Sequence, residues 1–288
     1  MIYVVTTSRE QEALMPDARF QCFKDVFGNN AKLILVNSGT DFGFLDADKD
    51  VVIIETRASD IVDKIVATGV RTTYETLDTI RLTFDKEESK ALLAAVGVPT
   101  PKTVFYGDVA DGGLYFVKPL HGEDSNCVDD ASICHNIQEV EAKVSQIEDE
   151  LGDQALIEEF IDGRDCTVGL IMNYKTGVPD CFPVILSYES KNGILTHELK
   201  FAEIDRSTPL RDERLMDYAR KAFKAVGGQR IMRIDFRMAK NGEFYLIDLN
   251  LFPCLGNTDH LAGCAKVCAG IEYDEFLKRI VDTATKRK

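Results

Sequence analysis

Residues 231–250 read IMRIDFRMAKNGEFYLIDLN, and this stretch decides the fold. Two apolar, β-prone runs flank Asn241-Gly242, a signal for a hairpin closed by a two-residue type I′ turn. With that turn Lys240 faces Glu243, and counting outward sets Asp235 opposite Asp248 and Arg233 opposite Asn250. Side chains alternate faces along a strand, so Arg233, Asp235, Asp248 and Asn250 share one face. Directly opposed residues have Cβ atoms roughly 4.5–5.5 Å apart, where like charges repel. Two carboxylates that close share a proton or hold a cation. Two Asp and one Asn form an all-oxygen set suited to Mg²⁺, a hard cation that keeps waters and shares phosphate oxygens. A half-exposed hairpin with a solvated polar face is the plain alternative.

The chain has 288 residues, 45% of them apolar and 28% charged, as in a soluble globular protein. That length accommodates one large domain or two to three small ones. Lys plus Arg number 34 and Asp plus Glu 48, for a net charge of −14, which argues against duplex nucleic acid or an anionic membrane as partner. Met1 leads straight into an apolar run with no basic n-region or cleavage site, and no apolar segment is long enough to span a bilayer. A cytoplasmic location is expected. The 8 cysteines form no C-x-x-C pair and no framework spacing. Reduced, mostly structural thiols follow, including Cys264 and Cys268 one helical turn apart.

Strand-like runs at 2–6, 32–37 and 50–56 alternate with helical spacing at 17–27 and 58–68. This alternation predicts a small parallel sheet, in an N-terminal α/β domain over 1–82. A helix follows at 85–97, with Asp85 as N-cap and Gly97 as stop. Strands at 114–120 and 154–161 and a helix at 136–151 make a lid-like α+β block over 83–160. The last block, 161–288, holds strands at 165–173 and 181–188, an irregular stretch at 189–210, a helix at 211–227, the hairpin, and helices at 259–269 and 273–285. A loop as long as 189–210 is usually functional or mobile.

Basic residues stand at element ends upstream of the acidic face. Lys86 opens a helix, Lys118 ends a strand against Pro119, and Lys191 starts the irregular stretch. With Arg233 they supply what a polyphosphate beside Mg²⁺ requires, fixed positive charge. Each lysine taken alone reads more readily as a solvated surface residue. There is no G-x-x-x-x-G-K-[ST], so the site is not of Walker type, and no strand precedes a G-x-G-x-x-G.

The order of motifs adds specificity. D-K…G-V-P-T-P spans 85–101, F-V-K-P…G-E-D-S-x-x-V spans 116–128, and I-E-E-F-I-x-G-R-D-x-T-V spans 157–168. Y-E-S-K follows at 188–191, then R-I-D-F…G-E-F-Y-L-I-D-L-N-x-x-P at 233–253. Over about residues 83–270 the chain resembles the ATP-grasp superfamily, and within it the D-alanine–D-alanine ligase-like carboxylate–amine ligases.

The resemblance implies an α/β fold, α+β in part, of three portions with ATP between two antiparallel sheets. Lys86, Lys118 and Lys191 match lysines that contact phosphates, and Ser125 lies in the loop that closes over them. Glu158, Glu159, Phe160 and Ile161 match the adenine-reading hinge, and Asp165 the acid that holds the ribose hydroxyls. Asp235, Asp248 and Asn250 match the ligands of Mg²⁺, two ions for which Mn²⁺ can substitute. Arg233, with Lys191, matches the catalytic positive charge beside the oxyanion. The implied reaction is ATP-dependent ligation of an amino-acid or peptide carboxylate to an amine through an acyl phosphate, releasing ADP and phosphate. A small-molecule kinase and a non-catalytic nucleotide-binding module remain as alternatives on the same fold. Related ligases are often homodimers.

The family pattern carries Glu at the position of Asp248 and Gly at that of Cys254. Arg9 and Glu10, in the turn after the first strand, can hold a substrate carboxylate and ammonium or be solvated loop charges. Cys254 and His260 are further candidates for the acceptor side.

Overall fold

The computed structural model describes residues 1–7, 16–56, 58–121, 126–187 and 207–285. The first apolar runs pair as parallel strands. β1 (Ile2–Thr7) lies between β2 (Ala31–Val36) and β3 (Val51–Ile54), and β4 (Arg71–Thr72) extends the sheet in the order β2-β1-β3-β4. Helices α1 (Pro16–Phe27) and α2 (Ser59–Ala67) lie in the crossovers that parallel pairing requires. All of β3 is buried, as in a strand covered on both faces.

Helices α3 (Leu77–Phe84) and α4 (Lys86–Ala95) meet at Asp85. The Asp85 carboxylate caps α4, accepting the N–H groups of Glu87 and Glu88 at 2.9 and 3.0 Å. A second, antiparallel sheet sets β5 (Tyr115–Pro119) between β6 (Ile133–Cys134) and β7 (Ala155–Glu159). Helix α5 (Ile137–Leu151) buries Val140 and Ile147 against Val117, Cys134 and Ile157 of this sheet.

The third sheet is also antiparallel. It contains β8 (Gly163–Asn173), β9 (Val178–Ile185), β10 (Thr208–Pro209), β11 (Ile231–Ala239) and β12 (Phe244–Asn250), in the order β10-β9-β8-β11-β12. Helix α6 (Glu213–Ala225) packs Leu215, Ala219 and Phe223 against Val168, Leu170, Ile234 and Phe236. Helices α7 (His260–Ala269) and α8 (Tyr273–Thr285) turn back toward the first sheet. Ile2, Val4 and Ile53 share one core with Leu261, Ala265, Phe276 and Ile280. The chain's two ends are therefore packed together.

A buried carboxylate reinforces that junction. Glu75 accepts the N–H groups of Gln229 at 3.0 Å and Arg230 at 2.6 Å, and Arg230 Nε donates to the Thr72 carbonyl at 2.8 Å. Burial raises the Glu75 pKa, against the pull of those donors.

The hairpin departs from expectation at its tip. Ala239, not Lys240, faces Glu243: the Ala239 N–H donates to the Glu243 carbonyl at 2.8 Å and the Gly242 N–H to the Ala239 carbonyl at 2.9 Å. The loop is thus three residues, Lys240-Asn241-Gly242. A type I′ turn needs φ above zero at both central residues, yet only Gly242 has it, at 82°. This is the three-residue alternative, a type I turn followed by a left-handed glycine. The extra loop residue shifts the pairing, so Phe236 faces Leu246 and Met238 faces Phe244. A bulge at Ile247 shifts it back, and Asp235 faces Asp248 and Arg233 faces Asn250. Without the bulge Asp248 would face Ile234, on the buried side.

Candidate functional site

A cleft of about 580 Å³ lies between the second and third sheets. Asp235, Arg237, Ile247 and Asp248 of the hairpin line its floor. Lys86, Lys118 and the run Glu158–Ile161 line the opposite wall, and Asp165 stands at one side. Its size is that of a small-molecule site.

On the floor, Asp235 is held from two sides. Arg233 donates from Nε to Oδ1 at 3.0 Å and from Nη2 to Oδ2 at 2.8 Å, and Thr167, opposite on β8, donates to Oδ1 at 2.6 Å. Burial opposes the Arg233 charge, but Asp235 and Asp248 more than offset this and raise its pKa. Asp248 has no side-chain hydrogen bond or ion pair among the described residues. Asn250 Oδ1 accepts the Phe252 N–H at 2.9 Å, which fixes the direction of its amide. No three His, Cys, Asp or Glu side chains gather as a metal site among the described residues. A cation here would rest on two aspartates, one asparagine and oxygens brought by a substrate. That all-oxygen, acidic donor set fits Mg²⁺.

The wall carries a buried three-membered charge cluster. The Glu158 carboxylate pairs with Lys118 at 2.8 Å and with Lys90. Lys118 Nζ also donates to the carbonyl of bulge residue Ile247 at 3.0 Å, and Lys90 Nζ to Pro101 O at 2.7 Å. Burial alone would raise the Glu158 pKa; the Lys118 and Lys90 ammonium groups overcome it and hold the carboxyl low. Burial depresses Lys90 itself, against its attraction to Glu158. The bulge that aligns Asp248 thus also presents the carbonyl that fixes Lys118. Lys86 Nζ donates to Leu120 O at 3.3 Å at the same end.

Beyond Glu159 the chain crosses from the second sheet to the third. The Phe160 N–H donates to Leu114 O at 3.0 Å, and the Glu159 N–H to Lys102 O at 2.9 Å. Gly163 then runs against the hairpin so closely that a Cβ there would sit 2.0 Å from the Met238 carbonyl oxygen. Arg237, buried, donates from Nε to Ile161 O at 2.9 Å and from Nη1 to Asp165 Oδ1 at 2.6 Å. Its guanidinium carbon stands 5.3 Å from the centre of the Phe160 ring.

Of the residues singled out in the sequence, Lys86, Lys118, Glu158, Glu159, Phe160, Ile161, Asp165, Asp235 and Asp248 come together around the cleft. Arg233 and Asn250 sit beside them on the hairpin. Cys254 lies just past the hairpin and is half-buried, and His260 is the half-buried first residue of α7; neither lines the cleft. Arg9, Glu10, Ser125 and Lys191 lie outside the described residues. Lys90, Thr167 and Arg237 were missed. Arg237 carried a readable signal, since it is two positions from Asp235 and so on the same strand face. His121, which lines the cleft and meets Asp153 Oδ1 at 2.7 Å through Nδ1, carried none.

The family model described as D-ala D-ala ligase C-terminus matches residues 114–282. A D-alanine–D-alanine ligase from Chromohalobacter salexigens is 28% identical over 220 residues, which cover 71% of this chain and 66% of that ligase. The corresponding ligase from Fusobacterium nucleatum is 27% identical over 207 residues, covering 70% and 67%. The chain thus matches about two thirds of the length of these relatives. Among solved structures, D-alanyl-alanine synthetase A from Vibrio cholerae superposes with a TM-score of 0.74 at 17% identity, covering 99% of this chain and 98% of that one. A Bacillus anthracis D-alanine–D-alanine ligase complexed with ATP gives 0.71 at 16%, covering 98% and 96%. The fold is that of these ligases, and with the family model matching more than half of its length, the chain belongs to the D-alanine–D-alanine ligase C-terminus family.

Proposed function

We propose that the cleft binds ATP with Mg²⁺ and that the protein joins a carboxylate, of an amino acid or peptide, to an amine. The observation that carries this reading is the opposition of charges across the cleft. Lys86 and Lys118 stand on one wall, and Asp235 and Asp248 face each other on the floor. A polyphosphate with a bridging cation satisfies both. The three-part division near residues 82 and 160 belongs to the same reading, with ATP between the second and third portions.

Each residue has a physical task. Lys118, steadied by Glu158 and the Ile247 carbonyl, gives the phosphates a positive charge that needs no reorganisation. Lys86 adds a second at the mouth of α4. The run Glu158–Ile161 receives the base, and Asp165 the ribose. Mg²⁺, when bound by Asp235, Asp248 and Asn250, neutralises phosphate charge and aligns the transfer. A carboxylate is a poor electrophile, so phosphoryl transfer to it creates the leaving group that an amine displaces. Arg233, held charged by Asp235, is placed to stabilise the tetrahedral oxyanion. By the resemblance of the sequence, Ser125 and Lys191 serve the phosphates, and Arg9 and Glu10 the substrate carboxylate and ammonium.

The test is ADP and phosphate release over pairs of amino acids with MgATP, with mass spectrometry of the products. A product heavier by one residue, formed only with both partners, is expected. A stable phosphorylated product formed without an amine would indicate a kinase instead. Absence of ATP turnover under every pairing, with no nucleotide binding, would refute the reading.

A further inference from the structure

We infer that Arg237 is a positioning residue for the nucleotide and sets the preference for a ribose over a deoxyribose. This rests on the reading of the cleft as an ATP site. One buried guanidinium touches three separate parts of the nucleotide wall. Its Nε holds the Ile161 carbonyl, its Nη1 holds Asp165, and its face lies against the Phe160 ring. Those three parts have different tasks in the proposed site. Phe160 and Ile161 bound the base, while the Asp165 carboxylate is the acceptor for ribose hydroxyls.

Arg237 is built for this coupling. It lies directly opposite Asp165 in the β11–β8 pairing, so the ion pair follows from register rather than from a flexible reach. The guanidinium plane is stiff, and its donors diverge at fixed angles. Fixing Ile161 through one edge and Asp165 through another therefore fixes their mutual distance. The side chains of Arg237 and Asp165 are only 6% and 10% exposed. Solvent screens this pair weakly, and the carboxylate has little freedom to turn away. Asp162 and Gly163, between Ile161 and Asp165, are tied to the same hairpin through Lys240 and through the close approach to Met238. The crossing from wall to floor is thereby tied to the hairpin just ahead of the ribose-binding acid.

A carboxylate held in place discriminates by the hydrogen bond that a missing hydroxyl cannot make. A hydrogen bond to a charged group contributes about 1.5–3 kcal/mol, or roughly 10- to 100-fold in affinity. A carboxylate free to rotate meets water instead and discriminates little.

The experiment measures the affinities of ATP, 2′-deoxy-ATP and 3′-deoxy-ATP by calorimetry on the full chain. Wild type is compared with Arg237→Met, Arg237→Lys and Asp165→Asn, each checked by thermal melting. Wild type is expected to favour ATP over at least one deoxy analogue by about tenfold or more. Arg237→Met and Asp165→Asn should bring the analogues within about threefold of ATP, while Arg237→Lys keeps part of the preference. If Arg237→Met does not fold, the other two variants decide. A merely structural role would weaken all three nucleotides equally, and that result overturns the inference. So does a wild type that binds ATP without preference, or an Arg237→Met protein that keeps it. A wild type that binds no ATP sinks the nucleotide site itself and the inference with it.

Discussion

Replacing Glu158 with Gln is the sharpest probe of the wall. The substitution keeps the shape and removes the one carboxylate that two lysines share. Glu158 is 3% exposed, Lys118 10% and Lys90 15%, so the charges left behind cannot be hydrated without movement. Removing one partner from a buried ion pair costs about 3–5 kcal/mol. Both lysines keep a carbonyl acceptor, Pro101 O and Ile247 O, which places the cost at the low end, about 3 kcal/mol. At about 2–4 °C per kcal/mol for chains of this size class, the melting temperature should fall by roughly 6–12 °C. Differential scanning calorimetry measures it. The double variant Glu158→Gln/Lys90→Met removes one stranded charge and should recover at least half of the loss. A fall under about 2 °C, or strictly additive effects in the double variant, would refute the cluster as a coupled unit.

Asp248→Asn should lower turnover by about a hundredfold or more with little change in melting temperature, because its carboxylate makes no side-chain hydrogen bond or ion pair among the described residues and acts on Arg233 only at a distance; full activity in a steady-state ADP assay would remove Asp248 from the metal set. Asp235→Asn should also abolish turnover, but it breaks the Arg233 pair, so circular dichroism must accompany it. Gly163→Ala should destabilise the chain by about 1–3 kcal/mol, since its Cβ would meet the Met238 carbonyl and backbone must shift; a chemical denaturation midpoint equal to wild type contradicts that close approach. Glu75 has a folded pKa raised by burial, so its contribution to stability is full below the unfolded value of about 4.3 and is lost as pH rises through the folded value. Glu75→Gln should flatten the melting-temperature profile above about pH 4, and an unaltered slope would show that another group controls it.

Much of this was legible because it is periodic. Strands at 2–7 and 51–54 announce themselves as unbroken apolar runs, and Asp85 and Gly97 bracket a helix by local capping chemistry. The pairing of Asp235 with Asp248 was legible for a different reason, the even number of residues between them. The turn was not, because two compensating one-residue offsets leave that pairing unchanged. Lys90 was invisible for a third reason. Its partner Glu158 lies 68 residues away, and nothing local distinguishes a helix lysine that meets solvent from one that meets a buried carboxylate. The junction between Glu75 and the start of β11 is equally non-local.

Those offsets bear on how the chain tolerates length changes. The tip at Lys240–Gly242 can lose one residue without moving the floor, because Ala239 and Glu243 then pair across a two-residue turn and the register beyond them is unchanged. Removing one residue from the strand between tip and bulge, Phe244–Leu246, would instead leave the Ile247 bulge one position out of step. Leu249 would then face Asp235, and Asp248 would face the buried Phe236. A shorter strand is compatible with the floor only if the bulge straightens in the same step, and the carbonyl that steadies Lys118 then goes with it. Edits to that strand and to the floor are bound into one event.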